Sequence, residues 1–347
     1  MKVTIQDIAD ALGVSRNTVS KAINNSGGLA DATRERILQK AVEMGYKQFS
    51  YVNALAGIVR SNAAPGRLPR SQIGEISLFT TMVFNQSHFA SLMLDHFQNE
   101  ISQLGYTLSI HQVTTDNLQQ ASLPWTFDSH RSKAILCFEL FDWNYCGMLC
   151  SLNLPILFVD GPVKIRGRNL PADQVYMDNI SEVSALTWEM LCRGKTRIGF
   201  LGDYLHCQSF FERFVACRDT LLSAGLPLED RFVLRAAGPQ AVLDSLSSLE
   251  ELPEVFLCAN DFVAVDALQA LRKIGKSVPE DLLICGFDDS PESRLINPPL
   301  TTVHIHTQIM AFTATQLLLS RIEEPSLDYR EVHTQTDVIY RASTGDA

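Results

Sequence analysis

The chain has 347 residues, 46% of them hydrophobic and 20% charged, and a net charge of −10. That composition excludes a disordered chain and leaves room for two or three domains. No apolar run approaches the roughly 20 residues a bilayer helix requires, and the N-terminus has no signal-peptide core, so a cytoplasmic protein without membrane contact is expected.

The charge is unevenly divided along the chain. Residues 1–72 carry ten Lys and Arg against five Asp and Glu, net +5, and residues 73–347 carry nineteen against thirty-four, net −15. A basic head is what phosphate contact requires, while an acidic body discourages DNA from wrapping it. The eight cysteines form no C-x-x-C pair and read as reduced core thiols. Cys146 and Cys150 could sit one helical turn apart, but without a nearby His or a second Cys pair no metal site is expected.

Ile5, Ile8, Ala9 and Leu12 fall at i, i+3, i+4 and i+7, one face of a helix, with Thr4 as N-cap and Asp7 three residues on to answer it. Gly13 stops that helix, because glycine takes the left-handed conformation without steric cost. Ser15 caps a second helix that buries Val19, Ala22 and Ile23 and leaves Arg16, Asn17, Thr18, Ser20 and Lys21 outward. Two helices joined by a glycine turn, with basic and amide side chains opening the second, are how helix-turn-helix proteins enter the major groove. Arg16 can donate twice to guanine, Asn17 suits the adenine edge, and Ser20 and Lys21 suit phosphate. An ordinary helical hairpin with a solvated polar face fits the same pattern.

A third helix is predicted from about Asp31 to Met44, burying Ile37, Leu38, Ala41 and Met44, with Gly45 as its stop. The stretch 50–57 has helical character but too little apolar surface to fold alone.

Residues 3–57 resemble the DNA-binding head of the lactose/galactose repressor family. The resemblance implies that 50–57 is a hinge helix that orders on double-stranded operator DNA and pairs with its twin in a homodimer. It places Leu55 in the minor groove, followed by Ala56, and an apolar wedge of that kind bends DNA. It gives a DNA-contacting set of Thr4, Ser15, Arg16, Asn17, Thr18, Ser20, Lys21, Asn24, Thr33, Leu55 and Ala56. The chain departs from the family where a Pro-Asn pair is replaced by Gln48 and Phe49, and where the usual hinge Ala and Arg are Val52 and Asn53. Ala30 stands where a capping serine is common, and Asp31 can take over that cap. Residues 60–72, with two prolines and three arginines, read as a linker, longer than is usual in the family.

From Gly74 onward short apolar strands alternate with amphipathic helices. Strands are predicted at 74–80, 107–113, 133–140, 155–160, 197–202, 231–236, 254–259 and 282–287, with helices such as 88–104 and 208–224 between them. Alternation of this kind means α/β structure with parallel sheets, and eight strands suggest two of them. The pattern restarts near Val175, which suggests two similar lobes, and the tail from Leu300 supplies crossovers. The whole is read as a three-helix head (1–47), a hinge and linker (48–72) and a two-lobed ligand-binding and dimerisation body (73–347).

Ligands in such folds lie beyond the carboxyl ends of the strands. Asp160, Asn260 with Asp261, and Asp288 with Asp289 occupy those ends. The family resemblance gives the body the architecture of a periplasmic sugar-binding protein, and implies that His88, Phe89, Asp160, Arg213, Asn260 and Asp288 contact a small effector, a sugar or sugar derivative. Helix capping also explains an Asp or Asn at a strand-to-helix junction, and Phe89 also suits a core. Pro239 stands where several relatives stack an aromatic on the ligand. With no P-loop, G-x-S-x-G elbow or H-E-x-x-H motif in the chain, neither catalysis nor a cofactor is expected. A ligand-responsive regulator of near-palindromic operators, a repressor of carbohydrate-related genes, is the reading. A sugar-sensing protein whose head has lost DNA binding, and a sugar kinase with a regulatory head, are its rivals.

Overall fold

The structure, a computed structural model, describes residues 4–23, 33, 36, 37, 40, 44, 74–81, 88–164 and 167–345. The chain divides into two compact units, Met1–Pro69 and Arg70–Ala347.

In the first unit α1 (Ile5–Leu12) opens with the predicted capping box: Thr4 Oγ1 accepts from the Asp7 backbone at 3.3 Å, and Asp7 Oδ2 accepts from the Thr4 backbone at 2.7 Å. Gly13 ends it at φ 64°, and the Val14 amide donates to Ala9 O at 3.1 Å, turning the chain into α2 (Arg16–Ile23). Ser15 caps that helix by accepting from the Thr18 amide at 3.1 Å. Ile8, Ala9, Val19, Ala22 and Ile37 form the core, with Ile5, Leu12, Val14 and Met44 packed against it. Of the predicted third helix, Thr33, Arg36, Ile37 and Lys40 are helical. Asn24, Leu38, Ala41, Leu55, Ala56 and the 60–72 linker lie outside the described residues.

The second unit is built on strands β1 (Gly74–Thr80), β2 (Tyr106–Gln112), β3 (Ser132–Phe138), β4 (Ile156–Val159), β5 (Asp173–Met177), β6 (Ile198–Leu201), β7 (Val233–Leu234), β8 (Val255–Cys258), β9 (Leu283–Cys285), β10 (Thr302–Ile305), β11 (Glu331–Thr334) and β12 (Thr336–Ile339). Its described helices are α3 (His88–Gln103), α4 (Thr115–Gln120), α5 (Trp143–Cys150), α6 (Ser181–Cys192), α7 (Gln208–Ser223), α8 (Pro239–Ser247), α9 (Asp261–Lys273), α10 (Pro291–Leu295) and α11 (Thr307–Glu323).

Two parallel sheets result, in the orders β11-β5-β4-β3-β1-β2 and β7-β6-β8-β9, and an antiparallel pair, β10 with β12, stands beside them. Both faces of each sheet are covered, as parallel pairing demands. Phe79, Ile135 and Phe158 pack under Tyr145 and Leu149 of α5, whereas Leu78, Leu136 and Leu157 point to the opposite face. In the second sheet Leu201, Phe256 and Ile284 pack against Ala264 and Leu268 of α9. All eight cysteines are reduced and six of them are buried.

Two expectations need correction. Val175 does not open the second lobe: it is the middle of β5, a strand of the first sheet paired with β4 and β11. The first sheet holds six strands, and two of them, β5 and β11, lie outside the eight predicted stretches. β5 escaped the reading because it begins with Asp173 and Gln174, buried polar residues that interrupt the apolar run a central strand usually shows. Asp173 is buried because Arg321 donates to both of its oxygens, at 3.0 and 3.1 Å, and the Arg330 backbone donates at 2.8 Å. That clamp ties the end of α11 to the strand that returns the chain to the first sheet. The predicted strand 231–236 is shorter, because Asp230–Phe232 coils into a 3-10 turn.

The chain passes between the lobes three times, after β5, before α11 and between β11 and β12. The first and third passages are stitched together: Asp178 N donates to Thr334 O at 2.7 Å, and Thr336 Oγ1 donates to Asp178 O at 3.0 Å.

Candidate functional site

The head offers one polar helix face. Arg16, Asn17 and Lys21 are exposed on α2, Thr18 and Ser20 half-buried, and Val19 is sealed in the core. Thr4 and Ser15 have capping duties, and Thr33 is half-buried on the third helix.

The body offers a cleft. About 650 Å3 of space, counted to its open mouth, is lined by Phe89, Asp160, Arg213, Asn260 and Asp288, five of the six residues singled out for ligand contact. The sixth, His88, starts α3, and its side chain lies outside the described residues. Every polar member stands just past a parallel strand or on the helix that follows one, where strand ends of both sheets converge.

Arg213 is the buried centre of this group, 3% exposed. Its Nε donates to Asn179 Oδ1 at 2.9 Å and its Nη1 to the Ala259 carbonyl at 2.6 Å, and its guanidinium lies over the Phe287 ring at 3.5 Å. Asn179, fully buried after β5, also donates through Nδ2 to Ser209 Oγ at 3.2 Å and Glu212 Oε2 at 2.8 Å. Arg213 and Asp288 are 3.9 Å apart. Burial pulls the guanidinium below its usual range, against the nearby acidic charge of Asp288.

Capping and cleft-lining coincide in the same residues. Asn260 Oδ1 accepts from the Val263 amide at 3.0 Å and so caps α9. Asp160 Oδ1 accepts from the Gly161 and Ser209 amides, at 2.8 and 3.2 Å, the second being the opening turn of α7. Burial nevertheless raises the Asp160 carboxyl above its usual range. Asp288 is pushed well up by burial, with Asp261, Glu139 and Asp160 adding like charge and Arg213 opposing them. The neighbouring Asp289 behaves oppositely. Arg294, Arg341 and His304 converge on its carboxylate and hold it below the usual range despite burial.

Reading the sequence alone missed Glu139, Phe141, His206, Cys207, Ser209, Phe210 and Phe262, all on the cleft wall. Glu139 was hidden by extending β3 to 140, whereas the strand stops at Phe138 and Glu139 turns at φ 52°. Pro239 is the first residue of α8 and does not line the cleft. The aromatic wall comes instead from Phe89, Phe138, Phe141, Phe210 and Phe262, with His206 edge-on to Phe141 at 4.9 Å.

A helix-turn-helix head followed by a two-lobed α/β body with a polar, aromatic-walled cleft defines a ligand-responsive DNA-binding transcriptional regulator. Residues 4–48 match the model of bacterial regulatory proteins of the lacI family, and residues 189–344 match the periplasmic binding protein-like domain. The lacI-family match lies in the head and the binding-protein match in the body, and over its length the chain is similar to regulators of that kind. It is 26% identical over 347 residues to the transcriptional repressor PurR of Aliivibrio salmonicida, covering 98% of each chain. It is 28% identical over 361 residues to the regulator GalR of Lacticaseibacillus casei, covering 98% of this chain and 99% of that one. Among solved structures, the fold is shared with the transcriptional regulator CelR in complex with cellobiose, at 22% identity and TM-score 0.68 over 99% of this chain and 100% of that one. The lac repressor dimer bound to operator and the anti-inducer ONPF shares it at 20% identity and TM-score 0.66, over 99% of both.

Proposed function

We propose that this regulator is a repressor that binds a near-palindromic operator as a homodimer and changes its DNA affinity when a sugar or sugar derivative occupies the cleft. The observation that carries this reading is the gathering of Asp160, Arg213, Asn260 and Asp288, from both lobes, into one aromatic-walled cleft. Carboxylates accept from ligand hydroxyls, the guanidinium and amide donate to them, and an aromatic wall covers a ring face. Arg213 Nη2 has no hydrogen-bond partner among the described residues, which leaves it for a ligand. A ligand shifts DNA affinity only by binding one lobe arrangement more tightly than the other. In this reading residues 1–47 read DNA, 48–72 form hinge and linker with Leu55 as the groove wedge, and 73–347 bind ligand and dimerise. The protein works in the cytoplasm on carbohydrate-related genes and carries out no catalysis. No helix among the described residues is long and apolar enough to cross a membrane.

The test is calorimetric titration of the whole protein against a sugar panel, with purines and amino acids as controls, paired with fluorescence anisotropy on DNA upstream of its own gene. A sugar should bind and should alter anisotropy on that DNA. Asp288→Ala and Arg213→Ala should each cost about 1–3 kcal/mol of ligand binding, and Asp288→Ala should leave DNA affinity without ligand nearly unmoved. Binding by a purine with failure of every sugar removes the ligand class, and wild-type binding by both variants removes the residue assignment.

A further inference from the structure

Three acidic side chains share the cleft with one guanidinium. Glu139, Asp160 and Asp288 line it against Arg213 alone. Glu139 and Asp160 directly follow β3 and β4, and Asp288 lies shortly beyond β9. All three hold positive φ, at 52°, 58° and 122°. Non-glycine residues avoid that region at a cost on the order of 1–3 kcal/mol each, and such strain gathers where a site needs a side chain aimed.

The three acids are not equally provided for. Asp160 accepts two backbone amides, and Asp288 faces Arg213. Glu139 makes no side-chain hydrogen bond or ion pair with any described residue. Arg213 is committed to Asn179 and Ala259 and stacked on Phe287, so it does not turn to Glu139. His206 supplies no cation either, since burial lowers its pKa. The rings of Phe138, Phe141 and Phe89 line the same cleft as Glu139, with Phe89 and Phe138 centred 5.7 Å apart. A carboxylate with no partner among the described residues, in a cleft walled by aromatic rings, is the setting in which a protein holds an organic cation.

We propose, resting on the sugar-effector reading, that the effector carries a protonated amine seated against Glu139, so that an amino sugar and not its neutral counterpart is the ligand. The titration of Glu139 agrees with this geometry. Burial and the charge of Asp160 raise its carboxyl to about 7, against the pull of Arg213. The other titratable groups lining the cleft are Asp160, Asp288, Arg213, His206 and the Cys207 thiol. In the empty cleft near neutral pH Glu139 therefore carries a proton for much of the time. An entering ammonium favours the ionised form, so the carboxyl gives its proton to solvent as the ion pair forms.

The experiment is titration calorimetry on the full chain and on Glu139→Gln, with glucose, galactose, glucosamine, galactosamine and their N-acetyl forms. Non-sugar amines are included as a separate arm, and each active ligand is measured in two buffers of different ionisation enthalpy. An amino sugar should bind at least about tenfold more tightly than its hydroxyl and N-acetyl counterparts, a difference of one pKa unit's worth of interaction. The advantage should vanish in Glu139→Gln, and binding should release a proton and tighten as pH rises from about 6 to 7, weakening again at higher pH where the ligand's own amine loses its proton. Equal binding of neutral and amino sugars, or an advantage that survives Glu139→Gln in a protein with an unchanged thermal transition, overturns the inference and leaves the sugar reading standing. A non-sugar amine that binds through Glu139 while every sugar fails keeps the charge assignment and overturns the sugar reading. No amine binding at all overturns the inference.

Discussion

Asp160, at the end of β4 in the first lobe, closes the N-terminus of α7 in the second: its Oδ1 accepts from the Ser209 amide at 3.2 Å, across 49 positions of sequence. A helix N-terminus leaves amides without partners and favours a negative group there. Here the cap comes from the opposite lobe, so it fastens α7, and with it Arg213, to the sheet that forms the other wall of the cleft. Asp160→Ala should therefore destabilise the body by about 1 kcal/mol, and Asp160→Asn, which keeps an acceptor, by clearly less. Urea unfolding followed by far-UV circular dichroism reads the difference, and equal midpoints for all three proteins would remove the capping role.

On the head, Arg16→Ala should cost about 1–3 kcal/mol of operator affinity and relax preference at one or two base pairs, because Arg16 stands at the exposed start of α2. Lys21→Ala should weaken operator and random DNA alike and lower the slope of log K against log salt by about one. Anisotropy titrations at four salt concentrations on both DNAs check this, and equal losses from Arg16→Ala on the two would refute base reading.

His333, on β11 of the first sheet, stacks on Tyr176 with rings 5.2 Å apart and faces Glu212 of α7 at 3.9 Å. Its pKa is raised, first by the Glu212 carboxylate it faces and then by the charges of Glu331 and Asp178, against burial. The stabilisation is therefore full below the imidazole's usual 6.5 and is lost as pH rises through the higher folded value. His333→Gln should lower the melting temperature at about pH 5.5 and leave it nearly unchanged at about pH 8.5. Differential scanning calorimetry at the two pH values checks it, and an equal drop at both would mean that packing against Tyr176, not charge, is what the ring contributes.

Gly286 marks a place where the backbone approaches a buried carboxylate. A Cβ there would stand 2.2 Å from Asp261 Oδ1, whose carboxylate accepts from Thr302 Oγ1 at 2.6 Å and, through Oδ2, from the Ser290 amide at 2.7 Å. Gly286→Ala should cost about 1–3 kcal/mol by overpacking and by loosening those bonds. Gly13→Ala, at φ 64° with open space around it, should instead cost only the left-handed strain of about 1 kcal/mol. Thermal unfolding of both variants separates crowding from strain.

Much of this architecture could be read from the residues. Thr4, Asp7, Gly13 and Ser15 act as predicted because capping and left-handed turns are decided within four residues of chain. The strands at 74–80 and 254–259 and the helices at 88–104 and 208–224 were legible because apolar periodicity and core burial coincide there. β5 was not, because Asp173 is buried by virtue of Arg321 and Arg330, 148 and 157 positions away. The cleft was half legible. Asp160, Asn260 and Asp288 stand at strand ends, a position the chain itself announces. Glu139 was lost to a strand drawn two residues too long, and His206, Phe210 and Phe262 carry no local signal of facing a ligand.

The side-chain amide of Asn179 is engaged at its oxygen and at both of its N–H groups. Its oxygen takes the Arg213 Nε–H, and its nitrogen gives to Ser209 and Glu212, at the passage where the chain leaves the first lobe. Such an amide has no slack, so any molecule that draws Arg213 out of place forces a re-pairing at the joint itself. Glu212 and Arg213 are neighbours in sequence, one turned toward His333 and the other toward the cleft. In the proposed reading, recognition and leverage sit a single peptide bond apart, and the lobes need no long relay to feel what enters between them.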